Sequence, residues 1–273
     1  MSTTKRFSLK KLLCLLLVLP MFLSLTACAK TTQLDVEATC DVSGTYATVS
    51  SKQELDDAIG EQTGFDADGY RLTVKMEMGS GEQKMTFKVN AIMKENEMAM
   101  KVVMPNMTKV FQNPNAPLEI TEMYSYYKDG YMYSVDEDYD FETGAVTYVK
   151  IKEQVSIEEA IGSQGPSSIM SYFNDTEGLL NLIEAQTGAV VSKDGNNYKI
   201  EIEHLAVEDQ TVDNVVVYLN FDTDSKFVAM SIQFAMEQEV SEGQKMPVSA
   251  NVTLSAFNGN IEYPNLNDYE EVA

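Results

Sequence analysis

From Leu72 onward the chain alternates apolar and polar residues. Leu72, Val74, Met76 and Met78 are separated by Thr73, Lys75 and Glu77. A period of two predicts a strand with one apolar and one wet face. After the turn Gly79-Ser80-Gly81-Glu82, the pattern returns in Met85, Phe87, Val89, Ala91 and Met93. It returns again in Met98, Met100, Val102 and Met104, up to Pro105. Tyr124–Tyr127 and Tyr131–Val135 flank Lys128-Asp129-Gly130, and Asp-Gly between β-formers predicts a tight hairpin. Another strand is expected from Ala145 to Lys152.

The middle of the chain carries a helical period. Ser156-Ile157-Glu158-Glu159 forms a capping-box pattern, and Ile169, Met170 and Phe173 share a helical face. Leu179, Leu180 and Ile183 share another, with Gly188 as a stop. An earlier capping box, Ser51-Lys52-Gln53-Glu54, precedes Leu55 and Ile59. Strands then resume at Val190–Ser192, Tyr198–Glu203, Val215–Phe221, Val228–Met236 and Val248–Ala256. The order is helix, strands, helices, strands, with no Pro/Gly-rich linker between the halves. It predicts an α+β fold, with residues 51–273 forming one domain around an antiparallel sheet.

The N-terminus reads as an address. Lys5, Arg6, Lys10 and Lys11 precede an apolar run from Leu12 to Leu25, too short for a comfortable bilayer span but suited to a signal peptide. The run ends in Leu25-Thr26-Ala27-Cys28, which matches the bacterial lipobox. That match implies a signal peptide over residues 1–27 and a diacylglyceryl-modified Cys28 as the first mature residue. Residues 28–50, rich in Thr, Ser and Ala without sustained period, are expected to be a flexible tether. A coil of that length spans about 25 Å on average.

Charge narrows the partners. Lys plus Arg total 20 against 42 Asp plus Glu, for a net charge of −22; cleavage before Cys28 removes four basic residues and no acidic one, taking it to −26. A chain this acidic repels phosphate, so nucleic-acid binding is not expected. Of the three cysteines, Cys14 leaves with the signal and Cys28 is acylated. Cys40 then has no partner for an intrachain disulfide and reads as an incidental exposed thiol.

With this layout the chain resembles the LolA-like superfamily of extracytoplasmic proteins, which includes the periplasmic lipoprotein carrier and lipid-carrying mycobacterial lipoproteins. The resemblance rests on the lipobox, the helix before the first long strand, and the hairpin around Asp129-Gly130. It also rests on the turn Asp222-Thr223-Asp224 between strands and the closing Ile261-Glu262-Tyr263-Pro264. It covers roughly residues 50–266, in order and period more than in identity. It implies a strongly curved antiparallel sheet, an incomplete β-barrel, with helices packed on the concave side. It also implies a hydrophobic cargo such as a lipid. No ligand-contact motif of the family maps onto this chain residue by residue.

Candidate chemistry is sparse. His204 is the only histidine and sits beside Glu203. No G-x-S-x-G elbow accompanies it, so it reads as a surface histidine and no enzyme is expected. Asp136, Asp138, Asp140 and Glu142 alternate, but an EF-hand loop would need Gly where Phe141 stands and Glu where Thr147 stands. They read as a solvated acidic loop, and neither metal nor cofactor is expected. Asp222 and Asp224 read as turn formers.

The methionines are more suggestive. Sixteen occur in the chain, and seven crowd the first three strands. Met side chains suit surfaces that must accept variable apolar shapes. Met76, Met85, Phe87, Met98, Met100 and Phe234 are the candidate ligand-binding residues. The expected protein is a lipid-anchored, non-enzymatic lipoprotein on the outer face of the cytoplasmic membrane that binds or carries a hydrophobic ligand. Ala29-Lys30 lacks the Asp associated with inner-membrane retention, so an outer-membrane location stays open. The other reading is an envelope sensor or interaction lipoprotein with a filled core.

Overall fold

The computed structural model describes residues 31–49, 67–79, 84–106, 119–139, 146–160, 189–207, 210–224, 226–241 and 244–271. Two antiparallel meanders build one open sheet. The first comprises β2 (Gly69–Met78), β3 (Met85–Lys94), β4 (Glu97–Pro105), β5 (Ile120–Lys128), β6 (Tyr131–Tyr139) and β7 (Val146–Gln154). The second comprises β8 (Val190–Asp194), β9 (Asn197–Val207), β10 (Gln210–Phe221), β11 (Phe227–Ser241) and β12 (Gln244–Phe257). They join where β12 pairs antiparallel with β2, Leu254 opposite Leu72 and Thr253 opposite Thr73. Two-residue strands close the ends: β1 (Ala47–Thr48) pairs with β8, and β13 (Glu270–Glu271) runs parallel to β7. The result is one 13-stranded sheet.

The alternating stretches became strands because each offers one face to a core and one to polar partners. At the predicted hairpin, Asp129 and Gly130 have φ of 53° and 82°. Both are left-handed, as a type I′ turn requires. Asp222 Oδ1 accepts from the backbone N–H of Asp224 and of Lys226, each at 2.9 Å, the turn-forming role read from its sequence.

The expected α+β architecture, with helices packed on a concave side, is overturned. The described residues are almost all strand in one open sheet, and the only α-helix among them is the single turn α1 (Ile157–Ala160). The capping box at Ser156 does start a turn, since Ala160 N–H donates to Ser156 O at 2.9 Å. One turn is too short to pack as a layer. The helical faces expected at Leu55/Ile59, Ile169/Met170/Phe173 and Leu179/Leu180/Ile183 lie outside the described residues.

The sheet has two unlike faces. The apolar face carries the main core, including Tyr70, Leu72, Val74, Met98, Ile200, Leu219, Ile232 and Leu254, all buried. The opposite face is polar by sequence, yet a second cluster is buried on it: Ile92, Ala99, Tyr124, Tyr126 and Val135 from the sheet, with Leu34, Ile261 and Tyr269 from the chain ends. Both terminal segments lie across this polar face. Thr31–Thr48, expected to be part of a flexible tether, instead forms an ordered strap. It starts with a 3-10 turn at Thr32–Asp35 and finishes as β1.

Candidate functional site

The six candidate ligand residues all fall on the apolar face. Phe234 lies opposite Ala250, Ala250 opposite Met76, and Met76 opposite Phe87, making one row across four strands. Met85 pairs with Met78, Met98 with Met93 and Tyr127, and Met100 with Ala91 and Ser125. Depth divides them. Met76, Met98 and Phe234 are buried within the chain itself. Phe87 and Met100 are only half-buried, as are Met78 and Met132, yet all four pack against the same core. Met85 is half-buried beside Met78. Alternation told which face each side chain takes but not how deep it sits.

On the polar face, an open groove of about 460 Å³ is lined by Glu77, Lys84, Asp213, Asn214, Glu237 and Ser249, among others. Asn214 has φ 52° at a bulge where the β10–β11 register shifts. Ion pairs rim the groove: Lys84–Glu77 at 2.7 Å and Lys245–Glu237 at 3.3 Å. His204, 65% exposed, places Nδ1 2.8 Å from Asp213 Oδ1. That hydrogen bond outweighs the opposing desolvation and, with the charges of Glu203 and Asp213 adding to it, raises the imidazole pKa above its usual value. Ser249 is the nearest hydroxyl in the same row, but Ala235 and Asp213 stand between it and His204. Three strand spacings put the two residues about 14 Å apart, too far for the imidazole to activate the hydroxyl. Among the described residues no three acidic, His or Cys side chains gather to hold a metal ion. The side chains of the acidic run Asp136, Asp138, Asp140 and Glu142 lie outside the described residues.

The strap is the feature that sequence reading missed. Side chains of the sheet read its backbone. Asn90 Nδ2 donates to Leu34 O at 2.8 Å, and Ala38 N–H donates to Thr73 Oγ1 at 2.8 Å. Arg71 Nη1 donates to both Gln33 O and Val36 O. Asn220 accepts from Asp41 N–H at 2.6 Å and donates to Asp41 O at 2.9 Å. Charge adds to this: Lys101 contacts Asp35 at 2.6 Å and Glu122 at 3.1 Å, and Lys88 pairs with Glu37. Burial disfavours the Lys101 charge, but hydrogen bonds to Asp35, Tyr124 and Glu122 outweigh it and hold the ammonium well above the usual lysine range. Cys40, expected to be exposed, is instead half-buried. Burial first, and the Asp41 charge second, push its thiol up to about 12, so it stays protonated and unreactive at neutral pH.

Gln33 also ties the strap to the C-terminal segment. Its Nε2 donates to Asn260 O, and its Oε1 accepts from Glu262 N–H, both at 2.9 Å. Beyond that clasp, Tyr263 packs edge-on to Tyr126, Tyr269 packs on Tyr133, and Lys152 pairs with Glu271 at 2.9 Å. The only sequence signal for the strap was Leu34 and Ala38, the buried pair four residues apart in a polar stretch.

No helix among the described residues is long and apolar enough to cross a membrane. No protein-family model matches the chain, and no curated protein matches it.

Proposed function

We propose that the chain is an exported bacterial lipoprotein, acylated at Cys28, whose apolar sheet face binds a hydrophobic ligand such as a lipid or lipid-linked molecule. The lipobox and its preceding basic and apolar regions support export and acylation. The observation that carries the ligand reading is the step in burial along the apolar face. Met78, Met85, Phe87, Met100 and Met132 are half-buried on the same face as the fully buried Met76, Met98 and Phe234. Flexible, polarizable side chains in that position suit an apolar guest of variable shape. This reading keeps the hydrophobic cargo implied by the LolA-like resemblance and drops the helices on a concave side.

The test is the double substitution Met85→Asp with Met100→Asp, made in the mature chain carrying Cys28→Ser and purified without detergent. Phospholipid in an organic extract of the parent, absent from the variant at equal circular dichroism, is the expected result. Equal retention by the variant would remove the ligand reading. A second reading, an interaction protein with a filled core, is favoured by the burial of Met76, Met98 and Phe234 without any guest. A parent that takes up no lipid from a phospholipid panel would select it.

A further inference from the structure

The strap changes where an acylated protein can sit. Cys28 is three residues from Thr31, and Thr31 is buried at the start of the 3-10 turn, where its side chain caps Gln33 N–H. Three residues reach at most about 10 Å. A coil running on to residue 50 would instead average about 25 Å. The leash therefore ends on the polar face, at the clasp made by Gln33.

Two cation–aromatic pairs surround that clasp. Arg71, which holds Gln33 O, lies 5.5 Å from the Phe257 ring centroid. Lys128 lies 4.8 Å from the ring of Tyr263, the residue after Glu262. All four side chains are half-buried, so each presents an edge outward. Amphipathic rings with Arg and Lys stems suit the headgroup layer. In a mature chain of net charge −26, this rim carries two cations, with Glu97 and Asp129 beside Tyr263, so the length of the leash rather than net charge sets which surface meets the leaflet.

We infer that the acylated protein is held rim-first on the leaflet that carries its anchor, with Arg71, Phe257, Lys128 and Tyr263 at the headgroups and the distant β8 edge lifted away from them. The partner is that same lipid surface, and the domain does not range away from it. This rests on the proposed acylation of Cys28.

The chain has no Trp, so one introduced indole reports on one place. The acylated mature protein is reconstituted in phosphatidylcholine vesicles containing a headgroup spin-labelled lipid. Phe257→Trp keeps an aromatic ring beneath Arg71. Val190→Trp sits on exposed β8, four strands away and about 20 Å further along the strand direction. Intact mass of the mature protein first establishes the acyl group.

The expected result is at least twofold quenching for Phe257→Trp, none for Val190→Trp, and loss of the quenching when a Gly/Ser segment of about 20 residues is inserted between Lys30 and Thr31. An acylated protein whose Phe257→Trp is unquenched, whose two positions quench equally, or whose quenching survives the insertion overturns this inference alone. A mass without acyl groups overturns both this inference and the lipoprotein reading.

Discussion

Replacing Leu34 with alanine separates an ordered strap from a flexible tether. Leu34 is 0% exposed and packs in the cluster with Ile92, Ala99, Tyr124, Tyr126, Val135, Ile261 and Tyr269. Leu34→Ala removes three buried carbons, about 2.4 kcal/mol of transfer free energy. The cavity left among rigid Tyr rings adds to this, for a total of about 3 kcal/mol. In a chain of this size that lowers Tm by about 6–12 °C. The assay is urea and thermal unfolding of the mature chain carrying Cys28→Ser. Val36→Ala is the control: Val36 is 55% exposed on the same strap and its loss should cost under about 0.5 kcal/mol. A Leu34→Ala protein as stable as the control would refute the reasoning, because a free tether contributes nothing to the fold.

Further outcomes follow from the same contacts. Asn220→Ala removes two hydrogen bonds to Asp41 and should lower stability by about 1–2 kcal/mol in urea titration; no change would argue against the strap's far half. Cys40, with its thiol pushed up to about 12, should react with a thiol reagent at pH 8 far more slowly than after unfolding, and a native rate equal to the unfolded one would contradict its burial. His204 gains its proton more readily in the folded state. Its contribution is therefore fully present below about pH 6.5 and is lost as pH rises through the higher folded value. Asp213→Asn should bring the His204 NMR titration down toward 6.5, and an unchanged midpoint would show that the hydrogen bond is not the cause. Met98→Ala, at a side chain 1% exposed, should cost about 2–4 kcal/mol. Met85→Ala, half-buried near a strand end, should cost markedly less; equal losses would mean the two sites are equally closed.

The strands were legible because their signal is local and repeated. Leu72–Met78 and Met85–Met93 each state their own period, and Asp129-Gly130 states its own turn. The joining of β12 to β2 has no local signature, although a single sheet in two halves follows from the absence of a linker. The strap was illegible for a different reason. It is held by backbone groups that distant Asn90, Asn220 and Arg71 side chains read, and a backbone contact leaves no periodic trace in the strap's own residues. The capping box at Ser156 was a true local signal that the described structure extends for one turn only. On the candidate face, alternation placed Met76 and Met85 together, but their different depths come from neighbouring strands and the strand end. A chain cut at residue 50, as the tether reading would suggest, loses the strap groups that bond Thr73, Asn90, Lys101 and Asn220.

The most direct measurement is native mass spectrometry of the mature chain carrying Cys28→Ser, strap included, purified without detergent from a bacterial host. The proposed function requires a discrete mass excess that disappears on denaturation and is recovered as lipid in the organic extract. A single apo mass, unchanged after incubation with a phospholipid panel, would contradict it and leave the filled-core interaction protein.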